Sequence, residues 1–103
     1  MNELEIYDNV QDDALTLELH GAMNASNSSR LFEAAKAKMG QVRKVILDMQ
    51  HLEYSSSSGL RQIMMIHSVM KNKGGKTIAR HVNEEMQKIL TDAGFQNFLE
   101  IEA

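Results

Sequence analysis

The run Lys44-Val-Ile-Leu-Asp-Met49 constrains the fold of this chain more than any other stretch. Successive side chains on a strand point to opposite faces, so the adjacent Val45, Ile46 and Leu47 make both faces apolar. Such a strand fits the centre of a sheet covered on both sides better than an exposed edge. A helix-spaced segment stands on each side of it. Strands that alternate with helices pair in parallel, through right-handed crossovers.

The remaining segments fill in that frame. Leu4 and Ile6 open a short alternation, followed by a polar turn around Asp8-Asn9 and Asp12-Asp13. Leu15, Leu17 and Leu19 then alternate with Thr16, Glu18 and His20 up to Gly21, which predicts a hairpin with one buried and one wet face. Residues 24–40 predict a helix: Asn24 to Ser29 offer caps, Leu31, Phe32, Ala35 and Met39 share a face, and Gly40 stops it. Downstream, Leu60, Ile63, Met64, His67 and Lys71 trace one helical row, flanked by Ile66, Val69 and Met70 and ended by Gly74-Gly75. Met64, Met65 and Met70 read as core filling rather than a partner face. A strand at Lys76–His81 follows.

Asn83 caps a third helix with Glu84 and Glu85 in its first turn, Met86, Ile89, Leu90 and Ala93 on its apolar face, and Gly94 as its stop. Phe98-Leu-Glu-Ile-Glu102 predicts a last strand. The order is β-β-α-β-α-β-α-β, an α/β fold. It implies a mixed sheet of four or five strands with three or four helices, in one domain over residues 1–103.

Composition removes several functions. With no cysteine among 103 residues, disulfides, thiolate metal sites and cysteine nucleophiles are excluded. A net charge of −3 argues against nucleic-acid binding, which calls for a basic face. The acids of the first twenty residues read as a solvated hairpin. The N-terminus lacks the basic and apolar regions of a signal peptide, and the longest wholly apolar run is the four-residue Ile63–Ile66. A cytoplasmic protein without membrane insertion is expected.

Three chemical motifs fail on inspection. Lys73-Gly-Gly-Lys-Thr77 lacks the earlier glycine of a phosphate-binding loop, where Met70 stands, and it leads from a helix into a strand rather than the reverse. His20, His51, His67 and His81 form no metal-binding spacing, so no metal or cofactor is expected. A nucleophile elbow needs G-x-S-x-G, but Ser55 occupies the first glycine's place if Ser57 is the nucleophile. No enzyme constellation remains.

What remains is Tyr54-Ser-Ser-Ser-Ser-Gly-Leu-Arg61, a serine run between the central strand and the second helix. A cap needs one serine, and here there are four. A helix N-terminus favours anions through its dipole and free N–H groups, so a phosphate there would be held without melting the helix.

Val45-Ile-Leu-Asp48, Ser56-Ser-Ser-Gly-Leu-Arg61, Gly74-Gly-Lys-Thr-Ile78 and Ile89-Leu-Thr-Asp-Ala-Gly-Phe95, in that order, resemble the STAS domain family, over essentially the whole chain. That family includes the bacterial anti-sigma factor antagonists. The resemblance implies an antagonist that binds an anti-sigma factor when unphosphorylated. A serine kinase, often the anti-sigma factor itself, switches it off and a phosphatase resets it. Aligned on Gly59-Leu60, the implied phosphoacceptor is Ser57, with Ser58 at the helix start and Ser56 where many members carry Asp. Asn24, in Gly21-Ala-Met-Asn-Ala-Ser26, stands where an Asp usually lies near the serine. Asn24, Ser56, Ser58, Gly59, Leu60 and Arg61 are the implied partner-binding residues around Ser57, in a monomer or weak homodimer. The alternative within the family is a STAS subunit fixed to another assembly, such as an ATPase of a lipid-transport ABC system, with the serine loop as a permanent interface.

Overall fold

In the computed structural model residues 3–103 are described; the first two positions of the expected 1–103 domain lie outside them. Strands β1 (Glu5–Gln11) and β2 (Ala14–Met23) form an antiparallel hairpin in which Gln11 pairs with Ala14. Its two-residue turn is Asp12-Asp13 alone, at φ 53° and 66°. The left-handed conformation that such a turn requires is one that Asp tolerates. Asp8 and Asn9, expected in the turn, are strand residues instead.

Helix α1 (Ser29–Met39), β3 (Lys44–Ser55), α2 (Ser57–Asn72), β4 (Lys76–Arg80), α3 (Glu84–Asp92) and β5 (Glu100–Ile101) complete the chain, with a short 3₁₀ turn at Phe95–Asn97. The sheet order is β1-β2-β3-β4-β5, parallel from β2 onward, with β3 at its centre. Both the element order and the mixed sheet agree with the expectation. Two ends do not. The last strand is confined to Glu100–Ile101 because Phe95 and Phe98 pack ring against ring across the 3₁₀ turn.

The second difference matters more. β3 does not stop near Met49 but runs on to Ser55, paired with the end of β2 across two register shifts. Its pairing with β4 ends at Asp48–Arg80. The β2–β3 pair therefore projects past β4 and carries the serines at its tip. In place of a β4 partner, the Asn83 side chain donates to the Met49 and Leu52 carbonyls at 3.1 and 2.9 Å. Those bonds satisfy backbone acceptors that a longer β4 would otherwise have paired.

Each crossover moves one strand along the sheet, and right-handed crossovers in one direction place their helices on one face. The buried residues of α1, α2 and α3 accordingly share one core with Leu15, Leu17, Leu19, Val45, Leu47 and Ala79. Ile46 and Ile78 are partners in register on the other face, outside that core, yet only 6% and 3% exposed. The expected burial of both faces of β3 therefore holds at Val45–Leu47, with helices on one face alone. The outer apolar pair is shielded within the sheet surface, where Thr16 stands beside Ile46 in register.

The buried face of α2 is Gly59, Ile63, Ile66 and Met70, which shifts the expected row. Leu60 and Met64 flank the core, His67 is half-buried against the Phe98 ring, and Lys71, Val69 and Met65 are exposed. Met65 is therefore not core filling. No helix among the described residues is long and apolar enough to cross a membrane.

Candidate functional site

The four serines sit at the junction of β3 and α2, and each has a different environment. Ser55 ends β3 opposite Met23, is 3% exposed, and donates from its hydroxyl to the Ser56 carbonyl at 3.0 Å. Ser56 is the N-cap of α2, with extended backbone (φ −75°, ψ 173°). Its N–H donates to the Met23 carbonyl at 2.9 Å, its carbonyl accepts from Leu60, and its hydroxyl accepts from the Gly59 N–H at 3.4 Å. Ser58 shares a 2.7 Å hydrogen bond with the Ser56 hydroxyl. The helix thus starts one residue earlier than the resemblance implied: Ser56 caps it, and Ser58 is already in its first turn.

Ser57, the first helical residue, is exposed, and its hydroxyl has no partner among the described residues. It therefore remains available to an incoming group. No acidic residue lies in the first turn, so no side chain already complements the positive end of the helix dipole.

Gly59 explains why the run ends as it does. A Cβ there would approach the Ser55 hydroxyl to 2.3 Å and the Met23 Cβ to 2.9 Å. The first turn of α2 is seated directly on the ends of β2 and β3, and only a glycine over a small residue permits that approach. Ser55 is part of this seat, a role that the sequence alone did not disclose.

Asn24 lies in the turn between β2 and α1. Its side-chain oxygen accepts from the Ser26 N–H, the Ser26 hydroxyl and the Asn27 N–H, and the Asn24 N–H donates to the Asn27 side-chain oxygen. Those bonds fold Asn24 into its own loop, and among the described residues it makes none to Ser55, Ser56, Ser57 or Ser58. The loop is nonetheless their neighbour, because Met23 just before it is hydrogen-bonded to Ser56. Gln62 of α2 also accepts the Phe32 N–H of α1 at 3.1 Å, which fixes the two helices together beside this junction. Leu60 is half-buried against the core, and Arg61 is exposed.

Two of the histidines meet on the outer face of the sheet, a feature that sequence spacing missed. His20 and His51 face each other across β2 and β3 with ring centroids 4.7 Å apart, and Tyr7 meets the His20 ring edge-on. His20 Nε2 is 2.7 Å from the Glu18 carboxylate, and His81 Nδ1 is 3.1 Å from Asp48. Only strand register could have revealed the His20–His51 neighbourhood, and β-bulges set that register.

A small mixed sheet with helices on one face, and an exposed serine starting the helix after the central strand, defines the class expected from the serine motif. The STAS domain family model matches residues 3–103, and the chain belongs to that family. Among curated proteins, BtrV of Bordetella bronchiseptica, assigned as an anti-sigma factor antagonist, is 28% identical over 86 residues, covering 82% of this chain and 73% of BtrV. A Thermotoga maritima protein assigned the same role superposes with a TM-score of 0.84 at 17% identity, covering 95% of this chain and 86% of its own. The Bacillus protein SpoIIAA, solved in its phosphorylated form, gives a TM-score of 0.71 at 17% identity over all of this chain and 92% of its own. At such identities the solved structures establish the shared fold.

Proposed function

We propose that this STAS domain is an anti-sigma factor antagonist, competent to bind while Ser57 carries a free hydroxyl and switched off by a phosphoryl group on it. The observation that carries this reading is the division of labour in the serine run. Ser55, Ser56 and Ser58 are committed to hydrogen bonds within the junction, whereas Ser57 is exposed and unpartnered at a helix N-terminus. Its kinship with BtrV and its fold likeness to the phosphorylated SpoIIAA support the same role. The partners are an anti-sigma factor with serine-kinase activity and a phosphatase, and the setting is the cytoplasm.

The switch follows from desolvation. Docking over Ser57 removes water from a neutral hydroxyl, which is tolerable when the partner hydrogen-bonds it. A phosphoryl group brings about −1.5 to −2 charges and three acceptor oxygens to the same place. Burying that charge costs far more unless a cation meets it. The helix need not move, because its free N–H groups and dipole tolerate an anion at this end.

Incubation with the cognate kinase and ATP should add one phosphoryl group per chain, absent in Ser57→Ala. Ser57→Ala should still bind the anti-sigma factor, and Ser57→Asp should bind it weakly. Loss of binding in Ser57→Ala, or full binding by Ser57→Asp, would overturn the reading.

A further inference from the structure

The phosphoryl group proposed for Ser57 needs a counter-charge, and the chain supplies one candidate. Between Ala22 and Ser29 and between Met49 and Ile66, the segments that build the junction, Arg61 is the one Lys or Arg. Arg30, just outside them, is engaged through its guanidinium with the Leu4 carbonyl. Arg61 is exposed and has no partner among the described residues. It lies four residues after Ser57 on α2, so the two side chains are neighbours one turn apart on the helix surface.

We propose that Arg61 is the internal counter-ion of phospho-Ser57, so that phosphorylation changes two groups on the docking surface at once. This rests on the reading of Ser57 as the phosphoacceptor. An anion N-terminal to a cation at this spacing is the favourable orientation on a helix. A guanidinium matches two phosphate oxygens at once, which an ammonium does not. No acid in the first turn competes for it.

The consequence goes beyond adding charge. In the unmodified chain the Arg61 guanidinium is free to meet an acidic group on a partner. In the phosphorylated chain it turns back to Ser57, and the surface loses its neutral hydroxyl and its available cation together. The phosphoryl group is then held by its own helix, in a form that no longer presents a site for an acidic partner.

The test needs neither kinase nor partner. Phosphoserine is placed at position 57 during translation, and the phosphorus resonance is followed across pH in the wild-type background, in Arg61→Lys and in Arg61→Gln. The pair favours the dianion, so the wild-type phosphate should pass from dianion to monoanion about 0.3 pH unit lower than in Arg61→Gln. Arg61→Lys should fall between, and the difference should shrink in high salt. Circular dichroism on the same samples confirms that each variant keeps its fold. Superimposable titration curves for wild type and Arg61→Gln would overturn the role of Arg61 while leaving Ser57 as phosphoacceptor untouched. Failure of Ser57 to accept phosphate from the cognate kinase would instead overturn the reading beneath it.

Discussion

Helices α2 and α3 begin with almost the same backbone and very different chemistry. Ser56 and Asn83 are both extended N-caps, at φ −75° with ψ 173° and 170°. At the third helical position α2 has Gly59, pressed onto the strands below, whereas α3 has Met86, fully buried in the core. The α3 cap is a strong one: Asn83 accepts from the Met86 N–H at 2.9 Å while its amide closes two β3 carbonyls, and Glu84 and Glu85 complement the dipole. The α2 cap is a single 3.4 Å bond with no acid beside it. α3 is a finished helix start that locks β3 in place, while α2 leaves an electrostatic vacancy at an exposed hydroxyl. The same local fold has been used once for stability and once for access.

The comparison breaks most visibly at the third helical position, where the two helices should fail for opposite reasons. Met86→Ala leaves a void in the core and should cost about 3 kcal/mol in urea unfolding. Gly59→Ala adds an atom where none fits, and should cost about 2 kcal/mol through forced displacement of Ser55 and Met23. Removing the Ser55 hydroxyl in a Gly59→Ala, Ser55→Ala chain should recover part of the second loss and none of the first. No recovery would mean that Ser55 is not part of the seat under α2.

The capping residues give a smaller contrast. Asn83→Ala loses the cap and leaves the Met49 and Leu52 carbonyls without their donor, at a cost of about 2 kcal/mol. Ser56→Ala loses a long cap bond and the 2.7 Å bond to the Ser58 hydroxyl, which solvent can replace, and should cost about 1 kcal/mol. Asn83→Ser keeps a cap but cannot reach as a two-hydrogen amide, so its stability should fall between wild type and Asn83→Ala. Amide exchange at Met49–Tyr54 should accelerate in both Asn83 variants and stay unchanged in Ser56→Ala, because Asn83, and not the Ser56 side chain, is bonded to that part of β3 where β4 ends.

Asn83 also shows where sequence reasoning succeeds and where it runs out. Its capping role was legible from one residue type before two acids and an apolar helical row, because caps act over three residues. Its bonds to β3 were not, since they depend on β3 outrunning β4. The element order and parallel sheet followed from period alone, and the serine motif led to the family. The length of β3 did not, because Gln50, His51, Glu53 and Tyr54 look like loop residues, although a projecting two-stranded arm can expose them. The role of Ser55 was hidden for a similar reason: a buried hydroxyl in a serine run is indistinguishable from its exposed neighbours until Gly59 is seen lying over it. Ser57 could be singled out by motif position. That its hydroxyl is the one left unpaired is a fact of three-dimensional neighbours.

Charge at the two helix starts supplies the smallest and most discriminating effect. Replacing Glu84 and Glu85 together by Gln removes anions from the positive end of α3 and should destabilise the chain by about 0.5 to 1 kcal/mol. Ser57→Asp puts an anion at the corresponding place in α2, where none exists and where Arg61 stands one turn on. It should stabilise the chain by about 0.5 kcal/mol, in the direction opposite to the α3 change. Both effects should fade between low salt and about 1 M salt, where the screening length drops to about 3 Å. Ser57→Ala, which removes a hydroxyl that holds nothing in the fold, should leave stability within about 0.5 kcal/mol of wild type. A Ser57→Asp chain less stable than Ser57→Ala at low salt would show that α2 has no vacancy for an anion. The start of α2 would then exclude a phosphoryl group rather than receive one.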